Sequence, residues 1–331
     1  MTKRTIQMRS NTSLKEIGSI LNGASSVAIF PHINPDGDAL GSAIALCLHL
    51  RSEGKESFVI LEDEFPRYVD FLDTTCCSCS TDCIGTPDVC ICVDCCEEKR
   101  FPGRVLLYNS GRTKISIDHH EVEDPSGDYY YVDSGESAAA QIIYRLFREM
   151  SWEIDSDTAR HLYTGIVTDT GCFQYSNTGP ETHMTAAELM KYDIGHNDIM
   201  VRLFQNISFR RVQLQAKVIE NMEIFAGGMA AVSYVTDELL EGMSARIEDA
   251  EGMVDVLRNI EGVEIAAFLK EKGDSVRVSM RAKSSGDVNS IAVSLGGGGH
   301  IKAAGCTLDM DMSEALAVVK REITASLEGQ M

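Results

Sequence analysis

PHINPDGDALGSAIAL (Pro31–Leu46) follows directly on the apolar run SVAIF (Ser26–Phe30) and leads into a stretch with helical spacing. The run has the length of a buried strand, the Asn34–Gly37 cluster has turn chemistry, and the pattern beyond predicts a helix over Ala39–Ser52. Strand, polar turn and helix in that order open a βαβ unit. Farther along, ESFVILE (Glu56–Glu62), DVCICVD (Asp88–Asp94) and KISID (Lys114–Asp118) repeat the apolar run, which predicts an α/β fold on a parallel sheet. Three of these runs end in strong ligands: His32, Asp36 and Asp38 after the first, Asp94 after DVCICV, and Asp118, His119 and His120 at KISIDHH. Open α/β sheets bind their ligands outside the carboxyl ends of the strands.

Two helical patterns follow, Ser137–Met150 and one running from Ser156 to Gly171, with Asp169 near the end of the second. After the turn residues of NTGPET (Asn177–Thr182) comes a long polar-apolar stretch, Ile207–Ile224, read as a helical connector. Fresh strand signals then appear in MAAVSYV, VEIAAFLK and VRVSMRAK, with a helix near Glu248–Arg258, a loop GGGGHIKAAG (Gly296–Gly305) and a last helix. The expected organisation is therefore a parallel-sheet domain over 1–205, a helical connector over 206–225 and a smaller α/β domain over 226–331.

A length of 331 residues suits two domains, and 44% hydrophobic with 24% charged residues describes a folded soluble chain. No apolar run approaches the roughly eighteen residues of a membrane span. MTKRTIQMRSNTSLKE lacks the apolar segment of a signal peptide, so no membrane is expected and a cytoplasmic location is the default. The net charge of −20 argues against wrapping a long nucleic acid, whose binding rests on many Lys and Arg contacts to phosphate. Lys270–Lys302 departs from this balance, with six basic residues against three acids, which suits a short anionic ligand. Eight of the eleven cysteines crowd between Cys76 and Cys96. Cys92 and Cys95 have a spacing that zinc or an iron–sulfur cluster would use, but a second well-spaced pair is missing, and small reduced buried side chains are the preferred reading. Strand alternation would point Cys92 and Asp94 to one face and leave Cys95 beyond the strand.

An aspartate ahead of a helix is often only its cap, and Asp38 by itself fits that description. Taken with the other carboxylates expected at the same sheet edge it does not stay so simple, because their repulsion calls for cations. Oxygen and imidazole donors without cysteine favour manganese, with magnesium, cobalt or zinc also admissible. The donors are numerous enough for two ions sharing one carboxylate, an arrangement suited to hydrolysing phosphate esters.

HINPDGDALGS (His32–Ser42), VDCCEEKR (Val93–Arg100), SIDHH (Ser116–His120) and GIVTDTGCFQYSNT (Gly165–Thr178) resemble, in order, the four motifs of the DHH phosphoesterase family, and GGGGHIKAAG resembles its associated C-terminal domain. The resemblance implies that His32 and Asp36 bind one metal, that Asp38, His119 and Asp169 serve the other, and that Asp94 bridges them. It implies further that His120 faces the substrate phosphate, with Asp118 behind the histidines. In the second domain it assigns substrate binding to Arg281, Gly297, Gly298, Gly299 and His300.

Within that family the chain is most similar to the nanoRNase type, which also removes phosphate from adenosine 3′,5′-bisphosphate. The implied activity is hydrolysis of short RNA or DNA oligonucleotides, or of nucleotide phosphates, by a two-metal-activated hydroxide, with a homodimer left open. Substrate is expected between the two domains, with hinge motion in the connector gating it. The competing readings are a phosphodiesterase for linear or cyclic dinucleotide messengers and, in another class, a non-catalytic nucleotide-binding regulator.

Overall fold

The computed structural model describes residues 10–122 and 124–328, with the backbone but not the side chain of His300. The chain divides into two compact units, one ending at Asn206 and the other beginning at Ile207.

The first unit holds strands β1 (Ser26–Phe30), β2 (Glu56–Ile60), β3 (Cys77–Ser78), β4 (Val89–Val93), β5 (Thr113–Asp118) and β6 (Tyr129–Val132). Its helices are α1 (Leu14–Gly23), α2 (Gly37–Ser52), α3 (Val105–Ser110), α4 (Ala139–Met150), α5 (Ser156–Asp169), α6 (Pro180–Leu189) and α7 (His196–Met200). The strands form one sheet in the order β3-β2-β1-β4-β5-β6, every pair parallel. Their sequences read as continuous apolar runs because both faces are covered. Val27, Ile29, Ile91, Val93 and Ile117 pack with residues of α1, α2, α4 and α5 on one face. Ala28, Phe30, Cys90, Cys92 and Cys95 pack with Phe101 and Tyr108 on the other. Two strands were not expected. β3 is only two residues long, and β6 is a short aromatic strand at the sheet edge.

Helix α2 starts at Gly37, two positions before the expected Ala39, and this shifts the cap. Asp36, not Asp38, is the N-cap: its carboxylate accepts from the backbone N–H groups of Asp38 and Ala39 at 2.9 and 3.0 Å.

The second unit holds α8 (Phe209–Glu220), β7 (Glu223–Phe225), β8 (Ala230–Val235), α9 (Asp237–Gly242), α10 (Met253–Arg258), β9 (Ile265–Lys272), β10 (Ser275–Ala282), α11 (Val288–Ser294), β11 (Gly298–His300), β12 (Ala303–Leu308) and α12 (Met312–Glu328). Its sheet runs β11-β12-β10-β9-β8-β7 and is antiparallel except at β8/β9. The stretch read as a connector is part of this unit, because Leu214 and Val218 of α8 are buried in one core with Val254, Leu257 and Phe268. No helix among the described residues is long and apolar enough to cross a membrane.

The tract GGGGHIKAAG is a hairpin and not the expected open loop: Gly298, Gly299 and His300 pair with Gly305, Ala304 and Ala303. Gly297 has a packing reason, since a Cβ there would lie 2.1 Å from the Gly305 carbonyl oxygen and 2.5 Å from the Cys306 Cβ. Gly298 has none, because a Cβ there would meet nothing within 4 Å. Urea denaturation should therefore separate the two: Gly297→Ala is expected to cost about 1–3 kcal/mol, whereas Gly298→Ala should stay within about 0.5 kcal/mol of the parent.

Candidate metal centre

The turn after β1 carries His32 and Asp36 to the carboxyl end of the sheet. The His32 Nδ1 lies 2.8 Å from the Ile33 carbonyl oxygen, so that nitrogen carries the proton and Nε2 is left facing Asp94 Oδ2 at 3.4 Å. Asp94 follows the last residue of β4 in the left-handed region, with φ of 62°, a conformation that aspartate tolerates better than most residues. Its N–H still donates to the Ile117 carbonyl at 2.9 Å, so β5 holds the turned residue in place. That reversal breaks the expected strand alternation. Cys92 and Cys95 share the Phe30 core, while Asp94 leaves the strand for the ligand cluster.

His119 stands at the centre of the cluster, just past β5. Its Nε2 lies 3.4 Å from Asp94 Oδ1, 3.7 Å from Asp169 Oδ2 and 3.9 Å from Asp38 Oδ2. Three groups of potential ligand atoms result, each within 4.8 Å: His32/Asp36/Asp94, Asp38/His119/Asp169 and Asp94/His119/His120. Asp94 thus belongs to two of them and stands between His32 and His119. His120 is brought to the cluster as well, although the resemblance made it a substrate-facing group. Its Nδ1 is 2.7 Å from Asp118 Oδ1, and the same oxygen accepts from its backbone N–H at 3.0 Å. Asp118 therefore fixes that ring and leaves Nε2 as its other functional nitrogen.

Asp38 is fully buried, and its carboxylate is spanned by another helix. Oδ2 accepts from the Ala139 N–H at 2.6 Å and Oδ1 from the Ala140 N–H at 2.8 Å, at the start of α4. The N-cap residue of α4, Ala138, has no side chain able to cap, so Asp38 supplies that role from α2. Gly165 on α5 makes the room, since a Cβ there would lie 2.8 Å from Asp38 Oδ1.

Charge in the cluster is poorly balanced without a cation. Burial raises Asp38, and the Asp94 and Asp169 carboxylates raise it further. Burial likewise raises Asp169, to about 6, with His119 opposing. For Asp94 burial is outweighed by the close approach of the His119 and His32 rings, each with Nε2 3.4 Å from a carboxylate oxygen, which holds it well below the usual carboxylate range. His119 moves the other way: burial lowers it, but Asp94, Asp169 and Asp38 raise it well above an ordinary histidine. Asp94 Oδ1 and His119 Nε2 are buried without a hydrogen-bond partner. Orphaned buried polar atoms aimed into a cluster of oxygen and imidazole donors fit divalent cations.

Among the described residues no cysteine joins these groups. Burial raises the Cys92 thiol well above its ordinary value, and Cys95 and Cys96 are raised as well, which favours inert thiols over ligands. Several supporting residues escaped the sequence reading. Asn177 donates to Asp169 Oδ2 at 3.2 Å, to the Asp169 carbonyl at 3.1 Å and to the Ser137 carbonyl at 2.9 Å. It lies inside a quoted motif, yet its residue type announces no ligand. The Ala139 and Ala140 amides carry no sequence signal at all.

The remaining predicted residues belong to the second unit. Arg281 on β10 and the backbone of His300 on β11 both pair with Ala303 of β12, so they share one cross-strand row with the Gly297–Gly299 stretch alongside. The Arg281 Nε lies 3.9 Å from Asp255 Oδ1, and its Nη1 donates to the Met280 carbonyl at 3.0 Å. The side chain of His300 lies outside the described residues.

Residues 26–166 match the model of the DHH family, N-terminal domain, and residues 229–325 that of the DHHA1 domain. A bifunctional oligoribonuclease and PAP phosphatase from Thermus thermophilus is 33% identical over 305 residues, covering 90% of each chain. Its counterpart from Bacillus subtilis is 29% identical over 304 residues, covering 86% of this chain and 89% of its own. Among solved structures, an exopolyphosphatase-related protein from Bacteroides fragilis superposes with a TM-score of 0.89 at 26% identity, over 97% of each chain.

The protonation pattern sets a test. Asp169, raised from 3.8 to about 6, weighs against the metal-free fold increasingly as pH rises from about 4 to 6, and fully above that. His119, raised above its ordinary 6.5, contributes stability that is complete below that value and lost as pH climbs through its folded pKa. The metal-free protein should therefore melt at lower temperature at pH 8 than at pH 6. Added Mn2+ should raise the melting temperature more at pH 8, because the ligands must shed protons to bind it. Equal Mn2+ shifts at both pH values would contradict the ligand set.

Proposed function

Because the chain belongs to the DHH family, we propose that it is a metal-dependent phosphoesterase that hydrolyses short oligonucleotides and adenosine 3′,5′-bisphosphate. The observation that carries the reading is the position of Asp94 in two ligand groups, with His32 and Asp36 in one and His119 and His120 in the other. A shared carboxylate between two such groups is what a pair of divalent ions requires. Manganese suits the mixture of carboxylate and imidazole donors best. When bound, such a pair supplies a water-derived nucleophile near neutral pH and neutralises charge on the phosphoryl group.

The residues then divide the work. His32 and Asp36 would hold one ion, Asp38, His119 and Asp169 the other, and Asp94, which joins His32 in one group and His119 in another, would be shared between them. Burial lowers the His120 pKa, but the charge and hydrogen bond of Asp118, with Asp94, outweigh it and leave the ring readily protonated. A protonated ring whose Nδ1 is committed to Asp118 is suited to donate from Nε2 to a phosphoryl oxygen. In the second unit, Arg281 and the Gly297–Gly299 backbone, with His300, would bind the nucleotide through its phosphate. The open side of Gly298 supports this, since no packing requirement explains a glycine there. The setting is the cytoplasm, consistent with eleven unpaired cysteines.

Purified protein should be assayed with Mn2+ on di- to pentaribonucleotides, adenosine 3′,5′-bisphosphate, a cyclic dinucleotide and pyrophosphate. Activity is expected on the first two, and activity confined to pyrophosphate or the cyclic dinucleotide would overturn the substrate assignment. Asp94→Ala should lose at least about 100-fold in kcat. Gly298→Ala should raise KM for the bisphosphate several-fold while leaving the melting temperature unchanged. An Asp94→Ala variant of full activity would sink the shared-carboxylate reading.

A further inference from the structure

The two ligand groups are supported differently. His32 is oriented by the carbonyl of its own neighbour, Ile33, and Asp36 by amides of the helix it caps, while Asp94 is held by the Ile117 carbonyl of β5, so none of the three is tied to the stretch between β6 and α4 by the hydrogen bonds that hold it. The ligands of Asp38/His119/Asp169 come from α2, the end of β5 and the end of α5, and all three are tied to one short segment that runs from the end of β6 into the first turn of α4. Asp38 accepts from the Ala139 and Ala140 amides. The His119 Nδ1 lies 3.4 Å from the Glu136 carbonyl oxygen. Asp169 is reached through Asn177, whose amide nitrogen donates both to Asp169 and to the Ser137 carbonyl.

This segment, Asp133–Ala140, is itself clamped from α4. The Arg145 Nη1 reaches Asp133 Oδ2 at 2.9 Å and Glu136 Oε1 at 2.5 Å, while its Nη2 donates to the Tyr131 hydroxyl at 3.0 Å. The Ser137 hydroxyl donates to Gln141 Oε1 at 2.6 Å, which fixes the turn into the helix. One guanidinium therefore ties the end of β6, the turn and α4 together.

We propose that Arg145 and Asn177 are positioning residues for one ion only: they hold the Asp133–Ala140 segment as a bracket that sets the Asp38/His119/Asp169 group, leaving the His32/Asp36/Asp94 group untouched. The inference rests on the two-ion reading above. Neither residue is assigned as a ligand, and each acts through ligands whose separation in sequence makes their geometry dependent on an outside frame. The consequence is an asymmetric centre whose second ion can be tuned from outside the ligand set.

Calorimetric titration of the metal-free protein with Mn2+ tests this, together with the spin-coupled manganese signal that reports two ions side by side. The parent should bind two ions. Asn177→Ala and Arg145→Gln should each weaken one of them by about 10–100-fold while leaving the other unchanged, and kcat lost at low Mn2+ should return at high Mn2+. Asp36→Asn should weaken the other ion, and the double variant Asp36→Asn/Asn177→Ala should be weakened at both. Asn177 is exposed, so its alanine variant carries the test if Arg145→Gln fails to fold. A parent that binds two ions, with Asn177→Ala weakening both equally or neither, overturns the bracket alone. A parent that binds a single ion overturns the two-ion reading and the bracket with it.

Discussion

The buried carboxylate of Asp38 is the constraint around which the first unit is arranged. A charge taken fully out of water costs several kcal/mol unless it is met by donors. The Ala139 and Ala140 amides meet it, and charge-assisted hydrogen bonds of this kind contribute about 1.5–3 kcal/mol each. The two bonds offset part of the burial cost, but burial still raises the carboxyl and the repulsion from Asp94 and Asp169 raises it further. The fold thus commits α2, α4 and α5 to one meeting point and leaves a charge imbalance there that cations relieve. Gly165 is part of the same commitment, because a larger residue would take the space of the carboxylate oxygen.

The parallel sheet explains why the other ligands arrive at the same edge. Each strand that carries a ligand ends there, and the chain must leave the sheet at that point. Asp94 does so through a left-handed residue, and the reversal matters chemically as well as geometrically. It separates a hard carboxylate from the soft thiols on either side of it: Cys92 and Cys95 stay with Phe30, Phe101 and Tyr108 in an apolar layer. Thiols held there are kept protonated by burial. A cysteine-rich segment can therefore surround a metal ligand without competing for the metal.

Much of this was legible in the residues. Apolar runs ending in His and Asp predicted both the parallel sheet and the candidates at its edge, since strand burial and ligand chemistry each leave a mark on residue type. The cap was misplaced by two residues because Asp36 and Asp38 have the same chemistry, and only the helix start distinguishes them. Asp38 is a cap after all, but of α4, a contact 101 residues away in the chain. Long-range contacts of this kind, backbone amides as partners, and an asparagine acting through its neighbours leave no periodicity to read. Nor could the stretch 206–225 be told from a free connector, because Leu214 and Val218 are buried by strands that come later.

The four-glycine tract shows how one motif can hold two different reasons. A run of glycine suggests a flexible turn when read alone, yet here it is an edge strand whose partner strand approaches too closely for a side chain at Gly297. Gly299 has the same requirement, since a Cβ there would lie 2.6 Å from the Ala303 carbonyl oxygen and its φ is +149°. Gly298 faces no such neighbour and lies on an exposed stretch of the strand, so packing leaves its identity undetermined. An edge strand also presents unpaired backbone N–H groups, and without a side chain at Gly298 an anion can approach them directly. The fold accounts for part of the tract, and the part it does not account for is where a phosphate contact has physical room.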